Sequence, residues 1–172
     1  MPEPNLVVQQ LSVDNRVLLT QLSQFIRDLG ESRYQTSIPA VACGSIGAHV
    51  RHILDHYLSL LHQKPSVNYD KRERLARLES DLVFATDRLD ALCQELAQLN
   101  QDTPVKVQSS TNLTGRAFQT DSSLARELSF LHSHTTHHMA IIRLMALQLG
   151  CQVAADFGKA ASTRKHESYV QS

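Results

Sequence analysis

DSSLARELSFLHSHTTHHMAIIRLMALQLG, residues 121–150, is the most regular stretch of the chain. Its stripe runs Leu124, Leu128, Leu131, Thr135, His138, Ile142, Met145 and Leu149, in steps of four and three that keep one face of a helix turned to a core. The stretch predicts a long helix from Asp121 or Ser122 to Leu149, stopped by Gly150. Two imidazoles, His134 and His138, stand one turn apart on that face beside Leu131, Thr135, Ile141, Ile142 and Met145. At 100° per residue, positions four apart differ by only about 40°.

Three other segments read the same way. Leu11, Leu18, Leu22, Phe25, Ile26 and Leu29 mark a first helix over 6–29, ended by Gly30. Ser45 is a good N-cap for a second, carried by Ile46, Val50, Ile53, Tyr57 and Leu60 to about His62 and closed by Pro65. Asp70 with Glu73 three residues on is a capping-box-like start for a third, running through Leu75, Leu78, Leu82, Leu89, Leu92 and Leu96 to about Leu99. Residues 100–121 are rich in turn formers and predict a long connection, with room for a short hairpin of 105–107 against 117–119. Four amphipathic helices predict an all-α four-helix bundle, with a hairpin or irregular crossover between helices three and four. One domain is expected over 1–172, its core at about 5–150 and its tail at 151–172, the last ten residues mobile.

Bulk properties narrow the function classes. The 172 residues carry 17 basic and 17 acidic side chains, so no charge excess points to nucleic acid or an acidic membrane surface. No apolar run is long enough to span a bilayer, and the opening Met1-Pro2-Glu3-Pro4 lacks the basic and apolar segments of a leader. Cys43, Cys93 and Cys151 are odd in number and far apart, which fits reduced thiols in the cytoplasm.

Histidine is the anomaly. Of nine, four lie in the second helix (His49, His52, His56, His62) and four in the last (His132, His134, His137, His138). Periodicity turns His134 and His138 inward, His132 outward and His137 between. On the second helix, His52 and His56 are four apart, while His49 and His56 lean further inward than His52; spacing does not choose among the three. Two inward imidazoles facing a third can share one divalent ion. Three protein ligands would leave open positions, as in catalytic sites, and imidazole suits zinc, nickel or iron. The competing expectation is a polar core in which each ring nitrogen finds its own hydrogen bond.

These residues also carry a resemblance. Gly44-Ser45-Ile46-Gly47-Ala48-His49-Val50-Arg51-His52-Ile53-Leu54-Asp55-His56-Tyr57 resembles the second helix of the DinB-like (DinB/YfiT) metalloenzymes, and His134-Thr135-Thr136-His137-His138 resembles that family's H-x-x-H-H helix. The resemblance spans roughly residues 5 to 150. It implies a four-helix bundle whose divalent metal is held by His52, His134 and His138, a homodimer, and a small-molecule substrate such as a low-molecular-weight thiol. Where many relatives follow the paired histidines with Arg-Gly-Gln, this chain has Met139-Ala140-Ile141.

The functional expectation is a metal-dependent transferase or hydrolase with no assigned catalytic residue. The alternatives are a non-catalytic metal- or ligand-binding bundle and a histidine-rich structural core. Asp55 is either an acceptor for a ligand imidazole or half of an exposed pair with Arg51. Lys71-Arg72-Glu73-Arg74 is expected to be a solvated helix face, Cys43 a buried structural thiol, and 157–164 a plain C-terminal loop, with folding back over a pocket as the alternative.

Overall fold

The computed structural model describes residues 3–41, 44–111 and 113–170; Cys43 lies outside them. Four long helices surround the core: α1 (Leu6–Leu29), α3 (Ile46–Gln63), α5 (Leu82–Ala97) and α6 (Leu124–Gln148). α1 packs on α5 and α6, and α3 packs on the same two. Short polar side chains start each helix by accepting an orphan amide: Asn5 from Val8, Ser45 from Ala48, Asp81 from Phe84 and Ser123 from Arg126. Gly30 after α1 and Gly150 after α6 take positive φ, 80° and 71°, where a side chain would be strained.

The all-α expectation is corrected. β1 (Ser66–Asn68), β2 (Pro104–Ser110) and β3 (Ala117–Ser123) form one sheet in that order, β1 parallel and β3 antiparallel to β2. A hairpin forms where the sequence leaves room for one, but 105–107 pair with 120–122, and 117–119 pair with 108–110. β1 has a single apolar residue, Val67, too short a pattern to read as a strand; pairing with Val107 and burial give it its place. Val105 and Val107 turn inward beside it while Lys106 and Gln108 face out.

The third helix also starts later than Asp70. Asn68 Oδ1 accepts from the amides of Asp70 and Lys71, at 3.0 Å each, and Asp70 accepts from the Ser110 amide at 3.2 Å. These bonds hold residues 68–71 in a turn. After that turn come the short α4 (Arg77–Ser80) and then Asp81, which caps α5. A further short helix, α2 (Glu31–Gln35), follows α1. Within the tail, Phe157 is 2% exposed and packs on Phe25, ring centroids 4.5 Å apart, and α7 (Ala161–Val170) follows. Gly158 lies so close to α6 that a Cβ there would stand 2.6 Å from the Ala140 nitrogen. The plain loop expected at 157–164 is therefore a segment folded back onto α6, then a helix.

At the centre, three helices share a buried polar bridge. Tyr57 on α3 donates to Asn15 Oδ1 on α1 at 2.5 Å, and its oxygen lies 3.0 Å from Thr135 Oγ1 on α6. Asn15 in turn donates to the carbonyls of Leu11 and Leu128. All three side chains are fully buried, so the Tyr57 hydroxyl and Asn15 Oδ1 depend on each other. Tyr57→Phe would strand Asn15 Oδ1 and the Thr135 hydroxyl in the core. A loss of about 1–3 kcal/mol in urea denaturation is expected; an unchanged midpoint would mean the bridge does not hold the helices. A second close approach is at Gly47, where a Cβ would meet the Glu79 carbonyl oxygen at 2.2 Å. Gly47→Ala should cost about 1–3 kcal/mol by forcing α4 from α3, read as a fall in midpoint at unchanged slope.

Candidate metal centre

α3 presents His49, His52 and His56 to α6, and α6 presents His134 and His138 in return. Ring centroids lie 4.4 Å apart for His52–His56, 4.2 Å for His56–His134, and 4.5 Å for both His52–His138 and His134–His138. His52 Nε2 is 3.1 Å from His134 Nε2, and His49 Nδ1 is 3.0 Å from His138 Nδ1. One ligand atom each from His52, His56 and His134 lies within 4.8 Å of the other two. His138, expected as the third ligand, is outside that trio but borders it. His56, kept open by the helical pattern, is inside it and is the most buried of the α3 histidines. His132 is half-buried where exposure was expected, and His137 is exposed where it was expected between.

Valence fixes the ring protons. Arg72 Nη2 lies 3.0 Å from His52 Nδ1, and a guanidinium only donates. His52 Nδ1 is therefore bare, its proton sits on Nε2, and that N–H points at a bare His134 Nε2. His134 then carries its proton on Nδ1, which is buried with no partner. His56 donates Nδ1–H to the His52 carbonyl at 2.7 Å, leaving Nε2 as its free nitrogen, the arrangement that commonly orients a ligand imidazole. His49 Nε2 is a second buried nitrogen without a partner. Neither nitrogen has a protein partner, as is true also of buried atoms of Arg16, Arg51, Asp55, Arg72 and Arg88.

The donor set fits a divalent cation. Two nitrogens each about 2.0–2.1 Å from one tetrahedral ion lie about 3.3 Å apart, close to the His52–His134 spacing. Burial, reinforced by neighbouring imidazoles, holds the rings neutral: it lowers His52 and His138 to about 3, His56 and His134 to about 4, and His49 below its usual value. Their lone pairs are then available at neutral pH. Among the described residues, the Arg72 guanidinium against His52 opposes a cation.

Aromatic walls frame the cluster. Tyr69 stacks on His56 (5.4 Å, 17°) and Phe130 on His134 (5.6 Å, 30°). Tyr69 donates to Glu127 Oε2 at 2.7 Å, while Ser122 and Arg126 donate to Oε1 at 2.6 and 2.8 Å, so this fully buried carboxylate is triply satisfied. Tyr69, Phe130 and Glu127 also line a cavity of about 460 Å3 between the sheet and α6. A larger cavity of about 640 Å3 lies between α1 and residues 150–157, and neither cavity is lined by any of these histidines.

Two sequence expectations change here. Arg72 is half-buried against His52 and not on a helix, so the basic run is no solvated helix face. Asp55 is 2% exposed, with Arg51 Nε 4.0 Å away, and it hydrogen-bonds no imidazole. Burial raises its pKa, with the Leu75 amide and Arg51 working against the rise. Arg51 itself reaches Glu79 at 2.8 Å. Arg72, Tyr69 and Phe130 were not singled out for the site from sequence. Arg72 and Tyr69 reach it from the segment after β1, which no spacing signals, whereas Phe130 stands on α6 one turn before His134, a four-residue step present in the sequence.

Comparison with known proteins identifies no family. The chain is similar to FK506-binding protein 5 of Rhizopus delemar. The two are 33% identical over 104 residues, which is 58% of this chain and 27% of that protein. The chain thus spans about a quarter of its relative's length. No family model matches the chain, and no solved structure matches it significantly. The expectation of a DinB-like four-helix bundle is corrected on two counts: the fold contains a three-stranded sheet, and the relative found bears an FK506-binding name. Among the described residues no helix is long and apolar enough to cross a membrane.

Five imidazoles with folded pKa values below the usual 6.5 make stability depend on pH. Below about 6.5 the unfolded chain takes up protons that the folded chain refuses. Metal-free protein should hold full stability above that pH and lose it steadily down to about 4; Asp55, shifted upward, acts in the opposite sense. Thermal melts at about pH 7.5, 6 and 5 measure this, and a flat midpoint across them would contradict the assignment of neutral buried rings.

Proposed function

We propose that the α3–α6 histidines form a divalent-metal site and that the protein is a metal-dependent transferase or hydrolase acting on a small molecule. The observation carrying this reading is the packing of five neutral imidazoles with ring nitrogens 3.0–3.1 Å apart and two buried nitrogens unsatisfied. His52, His56 and His134 are the proposed ligands, with His138 as a fourth nitrogen donor beside them. Bound there, zinc, nickel or iron would act as a Lewis acid and lower the pKa of a coordinated water or thiol. The chain's own groups do the rest. The His52 carbonyl holds the His56 ring, Glu127 holds Tyr69 over it, and Tyr69 with Phe130 keeps water from one side of the site. Cys93 and Cys151 are unpaired thiols, which supports a cytoplasmic setting.

A second reading, a non-catalytic histidine-rich core, draws on the Arg72 contact, because a guanidinium on His52 Nδ1 suits the metal-free ring. Elemental analysis after exposure to zinc, nickel or iron separates the two. The metal reading expects about one ion per chain, a thermal shift reversed by chelator, and affinity at least about tenfold weaker in His134→Ala and His56→Ala. His132→Ala, off the cluster, should bind as wild type. A protein that takes up no metal, with both ligand variants as stable as wild type, leaves the second reading.

A further inference from the structure

Arg72 lies in the loop between β1 and α4. Nη1 donates to the Tyr69 carbonyl at 2.7 Å, Nη2 to His52 Nδ1 at 3.0 Å, and Nε is buried without a partner. The guanidinium is half-buried, with Asp55 and Asp70 as the acidic groups around it and Arg51 and Arg74 as the basic ones. It therefore has one contact on the site, and that contact exists only while His52 Nδ1 is bare.

That condition ends when His52 gives its Nε2 lone pair to a cation. The ring proton must then sit on Nδ1, so two donors would face each other across 3.0 Å, and a guanidinium would lie beside a cation. Nη2 has to turn from the ring, while Nη1 can keep the Tyr69 carbonyl. A partly desolvated guanidinium with two N–H groups lacking acceptors, at the edge of a metal site, is the fork that binds an oxyanion in two-point fashion.

We propose that Arg72 is the substrate-recognition residue of this site: it rests on His52 while the histidines are metal-free and binds the carboxylate or phosphate-type oxyanion of the substrate once a cation holds His52. The inference depends on the metal reading above. It narrows the substrate class to small organic anions, and it makes Arg72 a competitor of the metal as well as a partner of the ligand.

Calorimetric titration tests both halves on the full chain. Zinc is titrated into wild type, Arg72→Gln and Lys71→Gln, the last removing a neighbouring exposed charge. Acetate and methylphosphonate are then titrated separately into each zinc-loaded protein. Expected are zinc affinity about tenfold tighter in Arg72→Gln than in wild type, and oxyanion affinity of its loaded form at least about tenfold weaker. The tighter-binding probe tells carboxylate from phosphate-type recognition. Equal zinc affinity in wild type and Arg72→Gln overturns the proposal. So does tighter zinc with unchanged oxyanion binding, which would mean that Arg72 turns to Asp55. Equal effects of Arg72→Gln and Lys71→Gln overturn it as well, since net charge alone would then be at work. In these three outcomes the metal site stands. If wild type binds no zinc, both readings fall together.

Discussion

The bridge of Tyr57, Asn15 and Thr135 sets the register on which the rest of the molecule depends. Its atoms are buried, so sliding α3 along α6 by one residue would strand the Tyr57 hydroxyl, Asn15 Oδ1 and the Thr135 hydroxyl. Tyr57 comes directly after His56, and Thr135 directly after His134. The register that satisfies the bridge is therefore the one that brings the two histidine sets face to face. Apolar packing alone would tolerate several registers, since leucine stripes on both helices interdigitate in more than one way.

The histidine cluster is the opposite kind of polar core. The bridge is closed and satisfied, whereas the cluster keeps two ring nitrogens without partners and a guanidinium against a ring. Five imidazoles and a guanidinium are thus packed together where a bundle core would ordinarily carry apolar side chains. The contrast also explains the aromatic frame. Tyr69 and Phe130 cover the imidazoles with rings that need no further hydrogen bonds, apart from the Tyr69 hydroxyl, which Glu127 takes.

Much of this was legible in the sequence. Both ends of α1 and the Ser45 cap of α3 come from caps and periodicity, and the inward pair His134 and His138 comes from a four-residue step. The hairpin was legible in outline. The features that escaped were decided by contacts distant in sequence. β1 exists because Val67 finds Val107, forty residues on. The Asp70 start failed because Asn68 offers its amides a turn, a competition between two local signals that only the sheet resolves. The choice among His49, His52 and His56 could not be made from spacing because the structure uses all three, each against a different neighbour. Arg72 reads as one charge among several until the loop is seen to cross the site.

That loop is pinned at both ends. The Asn68 turn fixes its start. Its far end is fixed by the seat of α4 on Gly47, with Tyr34 bonded to the Leu78 carbonyl. Little backbone freedom is left between those anchors, so any excursion of Arg72 is a matter of side-chain torsions. Rotamer changes take picoseconds to nanoseconds, whereas loop and domain rearrangements extend to microseconds and beyond. The close packing at one glycine thus has a consequence for motion: the guanidinium can leave His52 by side-chain rotation alone, without opening of the fold.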